Sequence, residues 1–269
     1  MKTVLFGIAL LLVVSIAIVV VMANGFSREI ARTEARLASY PPGPLRTDLP
    51  AAIQAFAERG MAGATPGVAA RFTQAAEMKR GATWTPFAAR QISALPRPGF
   101  AWVAAVKFGP VPIVRVIDRF EDGEGRLEVR ALGAFRTDTE TGPDAALGEA
   151  LRYLAELPWT PDAILVNTDI VWTETPDGVT ARLETAGGPA EILFRFDEAG
   201  DIAGAEAEGR PAKRADGSLA VLPWRGRFKD YAEIGGRRVP LQGEVGYVYP
   251  DGYASYFRGR ITGYSVIAQ

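Results

Sequence analysis

An unbroken apolar run comes first along the chain: residues 4–22, VLFGIALLLVVSIAIVVVM, carry no charge. A helix rises about 1.5 Å per residue, so this run reaches roughly 28 Å, about the thickness of a bilayer's hydrocarbon core. Residues 1–25 are therefore predicted to form a transmembrane anchor. A cleaved signal peptide is the alternative, with Val21 and Ala23 at its cleavage site. Its apolar core is usually shorter, about 7–15 residues.

Polar helical patterns and prolines follow the apolar run. Residues 26–40 predict a short polar helix, and the prolines within 41–44 end it because proline cannot continue a helix. A second helix is predicted over 49–59, closed by a glycine. Residues 26–64 are thus interpreted as a helical, proline-rich linker.

Short segments in which apolar and polar residues alternate dominate the chain beyond residue 68, as strands do. The segments predicted as strands are 69–79, 84–94, 100–107, 111–120, 125–135, 163–173, 178–185, 190–196, 202–208, 219–229, 238–248 and 253–267. Turn sequences such as PDG and GG separate them, and such short connections imply antiparallel pairing. One clear helix interrupts the strands at 143–157, where apolar residues follow helical spacing.

The predicted fold class is α+β: an N-terminal transmembrane helix, then a large curved antiparallel β-sheet with a few packed helices. A sheet of ten or more strands must curl, close or split. If it curls into an unclosed barrel, the helix at 143–157 can lie across the concave face and enclose an apolar interior. This β-rich domain is expected to span residues 65–269.

The composition narrows the chemistry that the chain can perform. There are no histidines and no cysteines among 269 residues, which removes the commonest general base, thiol nucleophiles and the usual zinc ligands. The formal net charge is −1, so no global basic field attracts nucleic acid. We expect a non-enzymatic protein with no catalytic residues, no metal site, no cofactor and no nucleic-acid partner.

Aromatic residues beside prolines are the candidate walls of a ligand pocket. The triplet Trp-Thr-Pro begins at Trp84 and again at Trp159, and Trp224 follows a proline. Such residues pack cores and corners, or they line apolar pockets. On the helix, Arg152 and Glu156 lie four residues apart, as an ion pair or as part of a pocket. The candidate ligand-binding residues are Trp84, Trp102, Arg152, Tyr153, Glu156, Trp159 and Trp224.

The C-terminal segment 247–264 is rich in tyrosine and carries two arginines two residues apart, Arg258 and Arg260. In a strand these arginines share a face. They either form a local anion site or belong to the outer polar face of a half-buried strand.

Several motifs resemble an uncharacterised bacterial family of unknown function across residues 65–269. The motifs are MKRG and WTPF at 78–87, PGFAW at 98–102, GEALRYLAELPWTPDA at 148–163, FRFDEAG at 194–200 and PW at 223–224. The FRFDEAG hairpin and the long sheet also look like the periplasmic lipoprotein-carrier architecture, an unclosed barrel with a helical lid. This second resemblance concerns the fold and implies no activity by itself.

The leading functional hypothesis is a membrane-anchored binding protein that holds a lipid or acyl chain between sheet and helix. Trp159→Ala is then expected to weaken ligand binding while leaving the fold mostly intact. A protein-interaction module with a filled interior is the second hypothesis. A hydrolase that uses the carboxylates of Glu149, Glu156 or Asp162 is the third.

The expected location is the bacterial inner membrane, with a single span at residues 4–22 as the membrane contact. Arg28, Arg32 and Arg36 after the span favour a cytoplasmic domain by the distribution of positive charge. A two-residue tail before the span is the usual shape of an anchor with an exported domain. We expect export.

Overall fold

The computed structural model describes residues 2–109, 111–213 and 218–268 of the chain. Its helices are α1 (Lys2–Leu37), α2 (Ala51–Gly60), α3 (Pro143–Ala155) and α4 (Pro161–Val166), with a 3₁₀ turn at Leu157–Trp159. Its first six strands are β1 (Ala69–Arg80), β2 (Thr83–Ala94), β3 (Gly99–Phe108), β4 (Val111–Glu121), β5 (Glu124–Ala131) and β6 (Phe135–Glu140). The others are β7 (Val171–Thr175), β8 (Gly178–Thr185), β9 (Gly188–Phe196), β10 (Ile202–Lys213), β11 (Leu219–Ile234), β12 (Arg237–Tyr249) and β13 (Gly252–Ile267).

The described strands form one antiparallel sheet with the order β6-β5-β4-β3-β2-β1-β13-β12-β11-β10-β9-β8-β7. Each arm is a simple meander, and the first strand joins the two arms by pairing with the last, from Ala69↔Ile267 to Met78↔Phe257. The sheet ends at β6 on one side and at β7 on the other, so it curls without closing. The α+β fold with an unclosed barrel, predicted from the sequence, is confirmed.

Helix α3 lies on the concave side and touches both arms, β4 and β5 on one side and β8 to β10 on the other. Two glycines let its first turn come this close. A Cβ atom on Gly125 would lie 2.2 Å from the carbonyl oxygen of Ala145, and one on Gly187 would lie 2.1 Å from that of Pro143. The first turn of α3 thus packs against glycine backbone in both arms of the sheet, and the helix lies across the concave face.

Helix α1 is one continuous helix that joins the apolar run to the domain. Within the part of the chain described, it alone is long and apolar enough to cross a membrane, and its apolar window has no buried residue. The separate helix predicted at 26–40 is instead the end of α1. Phe26 and Ile30 pack against Val103 and Ile117 on the convex face of the sheet.

Polar contacts add to this packing of α1 on the sheet. The Nη2 atom of Arg36 lies 2.6 Å from Oε2 of Glu121. The Nε atom of Arg90 donates to Oε1 of Glu34 at 2.9 Å. The guanidinium of Arg130 stacks 4.1 Å from the ring centre of Phe26. The last turns of α1 therefore pack against the sheet through both apolar and polar contacts.

One segment was wrongly predicted as a single strand and another strand was missed, each for a physical reason. The segment 163–173, predicted as one strand, contains helix α4 and then β7, because a short, wholly buried apolar run has no period that distinguishes helix from strand. Strand β6 was not predicted. Its sequence FRTDTE is exposed along nearly its whole length, so it has no apolar face to reveal it.

Candidate functional site

A cavity of about 360 Å³ lies between α3 and the concave face of the sheet. Its walls follow the alternation of the strands, since every second residue of a strand faces the same side. On β3 these residues are Trp102, Ala104 and Val106, and on β4 they include Val114 and Val116. Further apolar lining comes from Met78, Phe87, Leu127, Val129, Phe228, Val245 and Phe257.

Arg152 of α3 lines the cavity and is held by carboxylates on both sides. Its Nε atom donates to Oε1 of Glu156 at 2.8 Å, and its Nη1 atom donates to Asp118 of β4. The Nε2 atom of Gln91 donates to the other oxygen of Glu156 at 2.5 Å. Burial alone would lower the pKa of Arg152, but Glu156 and Asp118 outweigh it and raise that pKa. Arg152 is a fully compensated cation.

Glu149 lies one helical turn before Arg152 and is only 8% exposed. Its Oε2 atom and the Oδ1 atom of Asp118 are buried, and neither has a hydrogen-bond partner within the described ranges. Burial, and then the negative charge of Asp118, raise the pKa of Glu149 well above its ordinary value. Protonation of Glu149 relieves both the burial of its charge and its repulsion by Asp118. No group of acidic side chains in the described parts of the chain is arranged to hold a metal ion.

Because the pKa of Glu149 is raised in the folded protein, the free energy of unfolding should depend on pH. Replacing Glu149 with Gln should remove this dependence. The folded chain keeps this proton at pH values where the unfolded chain, with a pKa near 4.5, has lost it. Stability therefore falls as pH rises from about 4.5 towards the folded-state pKa, by up to about 1.4 kcal/mol per pH unit. Glu149→Gln mimics the protonated form, so the variant should gain stability relative to the parent as pH rises. Urea unfolding at pH 4.5, 6.0 and 7.5 measures this difference.

Glu184→Gln, on an exposed side chain, is the matched control and should show no such trend. A stability difference between Glu149→Gln and the parent that stays constant over this pH range would contradict the protonated state of Glu149.

Arg210 of β10 enters the cavity from the other arm of the sheet. Its Nη1 atom donates to the hydroxyl oxygens of Tyr247 at 3.0 Å and Tyr256 at 3.4 Å. Its Nε atom donates to the carbonyl oxygen of Gly148 at 3.3 Å. The guanidinium also lies 5.2 Å from the ring centre of Trp224, a cation–π contact. The hydrogen-bond partners of Arg210 are therefore neutral groups.

The structure brings five of the seven candidate ligand-binding residues to this cavity. They are Trp102, Arg152, Glu156, Trp159 and Trp224. Trp102 donates its indole N–H to Oε1 of Gln74 at 2.9 Å, which orients its ring within the wall. Trp159 touches the cavity but is 4% exposed and belongs to the main core.

The other two candidates do not line the cavity. Trp84 is on the opposite face of β2 from Phe87 and stacks under the guanidinium of Arg258 at 4.4 Å. Tyr153 is buried beneath α3, where its hydroxyl accepts a hydrogen bond from Nδ2 of Asn167 at 2.8 Å. Burial raises the pKa of Tyr153, so it remains a neutral core residue.

Of the remaining charged candidates, some line the cavity and others do not. Arg258 and Arg260 are exposed and pair with Glu77 and Asp230, which corresponds to the outer polar face of a strand. Of the three carboxylates considered for hydrolysis, Glu149 and Glu156 line the cavity. Asp162 does not, because both of its oxygens bind the guanidinium of Arg237.

Sequence reasoning missed several cavity residues, above all Asp118, Arg210 and Tyr256. Asp118 continues the inward-facing series of Val114 and Val116 on β4. That alternation was a usable signal. Arg210 gave no such signal, because a bulge in β10 shifts its register against β11 between Ala207 and Arg210.

A curled, unclosed antiparallel sheet with a helix across its concave face defines a half-barrel, and in this chain the sheet and helix enclose a largely apolar cavity. The chain belongs to the DUF6544 family, a family of unknown function, whose model matches residues 44–259. The family membership expected from the sequence motifs is thereby confirmed. No curated protein sequence matches the chain significantly.

The chain is similar in fold to several solved structures. One is a LolA superfamily protein from Nitrosomonas europaea, 10% identical, covering 81% of this chain and 94% of its own, with a TM-score of 0.41. A second is a domain named for outer membrane lipoprotein sorting, from Vibrio parahaemolyticus, also 10% identical with a TM-score of 0.41, covering 79% and 91%. A third is a DUF1329 family protein from Desulfovibrio piger, 10% identical, covering 80% and 92%, with a TM-score of 0.37.

Proposed function

We propose that this protein is a membrane-anchored, non-enzymatic binding protein that holds one lipid or acyl chain in the cavity under α3. The observation that carries the proposal is the cavity itself, whose walls are mainly Trp, Phe, Val and Leu side chains. Its polar end is the connected cluster of Asp118, Glu149, Arg152, Glu156 and Arg210, and Glu140 and Glu244 also line the cavity. Its volume of about 360 Å³ falls within the range of small-molecule sites, roughly 300–1,000 Å³. A protein-interaction module has no need of such a space.

The position of the cavity relative to α1 supports a lipid source in the membrane. The β5–β6 turn lies beside the end of the apolar run, since a Cβ atom on Gly133 would lie 3.5 Å from that of Ala23. Apolar side chains are exposed at this end of the sheet, with Phe108 79% and Phe135 49% exposed. Leu132, 40% exposed, donates its backbone N–H to the carbonyl of Ile113 and joins the same patch.

Exposed apolar patches mark contacts with membranes or partners. Phe108 is the last residue of β3, in the β3–β4 hairpin. Val106 and Val114 of the same hairpin line the cavity. A bilayer that holds residues 4–22 would meet this patch, and an acyl chain would pass from bilayer to cavity along it. We propose a single span in the inner membrane, with residues 1–25 as anchor and the domain of 65–269 on the exported side.

Ala104→Phe tests the proposal by filling the cavity, because Ala104 lies on its wall with a small side chain. The full chain is placed in phosphatidylcholine nanodiscs with a trace of diazirine-labelled fatty acid. After irradiation, mass spectrometry maps the labelled peptides. We expect labelling of β4 and β11 in the parent chain and at least tenfold less in the variant.

Ala88→Phe is the matched control, since Ala88 is exposed on the neighbouring strand β2 and faces away from the cavity. It should keep the labelling of the parent. If the parent chain carries label only in residues 4–22, the cavity is not a lipid site and the interaction module becomes the better hypothesis.

A further inference from the structure

We propose that the ligand held in this cavity is an acidic amphiphile whose anionic head, a carboxylate or a phosphate, binds Arg210 and the hydroxyl of Tyr256. The inference rests on the proposed function and deepens it, because it assigns a head group to the chain that the apolar walls accommodate. Its basis is the uneven distribution of charge at the polar end of the cavity.

Arg210 lacks the close carboxylate that Arg152 and Arg237 have. Arg237 forms two bonds of 2.7 and 2.8 Å with Asp162, and Arg152 binds both Glu156 and Asp118. The side chain of Arg210 is 14% exposed, yet the nearest carboxylate oxygen is Oε1 of Glu149, 3.8 Å from its Nη2 atom.

Glu149 is a poor counterion for Arg210. It is buried beside Asp118, which makes its neutral form the favoured one. Asp118 and Glu156 are already bound to Arg152. Arg152 is therefore bound directly by two carboxylates, whereas Arg210 has neutral hydrogen-bond partners and one carboxylate at 3.8 Å, which burial tends to neutralise. Burial of a guanidinium without a close counterion is costly, and an anion from the ligand would lower that cost.

The hydrogen-bond donors around Arg210 also point to an anion. The N–H groups on Nη2 of Arg210 reach no acceptor within hydrogen-bond distance among the described residues. The hydroxyl oxygen of Tyr256 accepts from Nε1 of Trp224 at 3.1 Å and from Arg210 at 3.4 Å. Its own proton has no acceptor within the part of the chain described. These donors converge where an oxygen anion can accept several bonds at once.

The head-group site is continuous with the apolar walls. Trp224 and Phe228 on β11, and Tyr256 and Phe257 on β13, line the same cavity as Arg210. A ligand with its head at Arg210 can thus lay its chain along aromatic and aliphatic side chains without leaving the cavity. Tyr247 fixes the geometry, because its hydroxyl donates to the carbonyl of Pro211 at 3.1 Å while it accepts from Arg210.

The test compares ligands with the same chain and different heads, on the full-length protein in phosphatidylcholine nanodiscs. Diazirine-labelled palmitic acid is compared with its methyl ester, and phosphatidic acid with the diacylglycerol of the same chains. Cavity labelling is divided by labelling of residues 4–22, which corrects for partition into the bilayer. We expect at least a tenfold preference for an acidic ligand over its neutral partner, since hydrogen bonds to an ionised acceptor are roughly twice as strong as neutral ones. The pair that shows the preference identifies a fatty acid or a phosphate head as the source.

Arg210→Gln should reduce labelling by the acid to the level of the ester while leaving the ester unchanged, which also shows that the cavity is intact. Tyr256→Phe should lower the acid preference by a smaller factor, and it carries the test if Arg210→Gln does not fold. Equal labelling by acid and neutral partner in the parent, or an acid preference that survives both variants, overturns the inference and leaves the binding function standing. Absence of cavity labelling by every ligand overturns the binding function itself.

Discussion

Asp162→Ala is expected to lower the free energy of unfolding by about 3–5 kcal/mol, the cost of leaving one partner of a buried ion pair without the other. Asp162 is fully buried and Arg237 is 4% exposed. Besides its two bonds to Arg237, Asp162 accepts the backbone N–H of Gly67 at 2.9 Å. The pair ties α4 to β12 and to the segment that leads into β1.

Urea unfolding of the full chain in detergent micelles measures this effect. Glu184→Ala, which breaks an exposed pair with Arg182, is the control and should cost less than about 1 kcal/mol. The double variant Asp162→Leu with Arg237→Met should lose less stability than Asp162→Ala, because it leaves no unpaired charge. A loss below 1 kcal/mol for Asp162→Ala would show that water or other groups compensate Arg237.

Trp159→Ala is expected to destabilise the domain by about 3–5 kcal/mol, as truncation of a buried tryptophan does. The ring of Trp159 packs 5.9 Å from Phe72 and 5.5 Å from Phe228, measured between ring centres. Its indole N–H donates to the carbonyl of Pro240 at 2.8 Å. The ring of Trp159 packs directly on the backbone of Gly243. A Cβ atom at that position would lie 2.6 Å from the Cζ2 atom of Trp159, so only glycine leaves room for the ring.

Trp84→Ala is the matched control, since Trp84 begins the other Trp-Thr-Pro triplet but lies partly exposed under Arg258. It should cost about 1 kcal/mol or less, the range of an exposed cation–π contact. Thermal unfolding of both variants in parallel decides the matter. Similar losses for Trp159→Ala and Trp84→Ala would mean that Trp159 is no more important to the core than a surface residue. This expected loss differs from the expectation drawn from the sequence alone, that Trp159→Ala leaves the fold mostly intact, because the structure places Trp159 in the main core.

The two triplets show where sequence reasoning ends. Alternation predicted most strands, and helical spacing predicted α3, because both patterns are local. The face that a tryptophan occupies depends on register. Trp84 pairs with Lys79 on the outer side of the sheet, whereas Trp159 lies in a 3₁₀ turn that α3 directs into the core. The same Trp-Thr-Pro sequence therefore places its tryptophan on the outer face in one case and in the core in the other.

Arg210 shows a second limit of sequence reasoning. Inward-facing residues of β10 begin with Ala205 and Ala207, so strict alternation would place residue 210 outside. The register shift between Ala207 and Arg210 adds one residue to β10 and exchanges the two faces. A bulge depends on pairing with a neighbouring strand, which the sequence of one strand does not contain. The head-group site could be found only in the structure.

The continuous helix α1 has a consequence for how the domain moves. Its last turns are fastened to the convex side of the sheet by Phe26, Ile30 and the ion pair of Arg36, and the helix continues unbroken through Gly25 from the apolar run to Leu37. A flexible tether lets a domain sample many orientations, whereas a continuous helix transmits tilt. A bilayer around residues 4–22 would hold the hairpin tips at a constant height above its surface. Transfer of the proposed ligand would then occur by collisions with partners in the plane of the membrane.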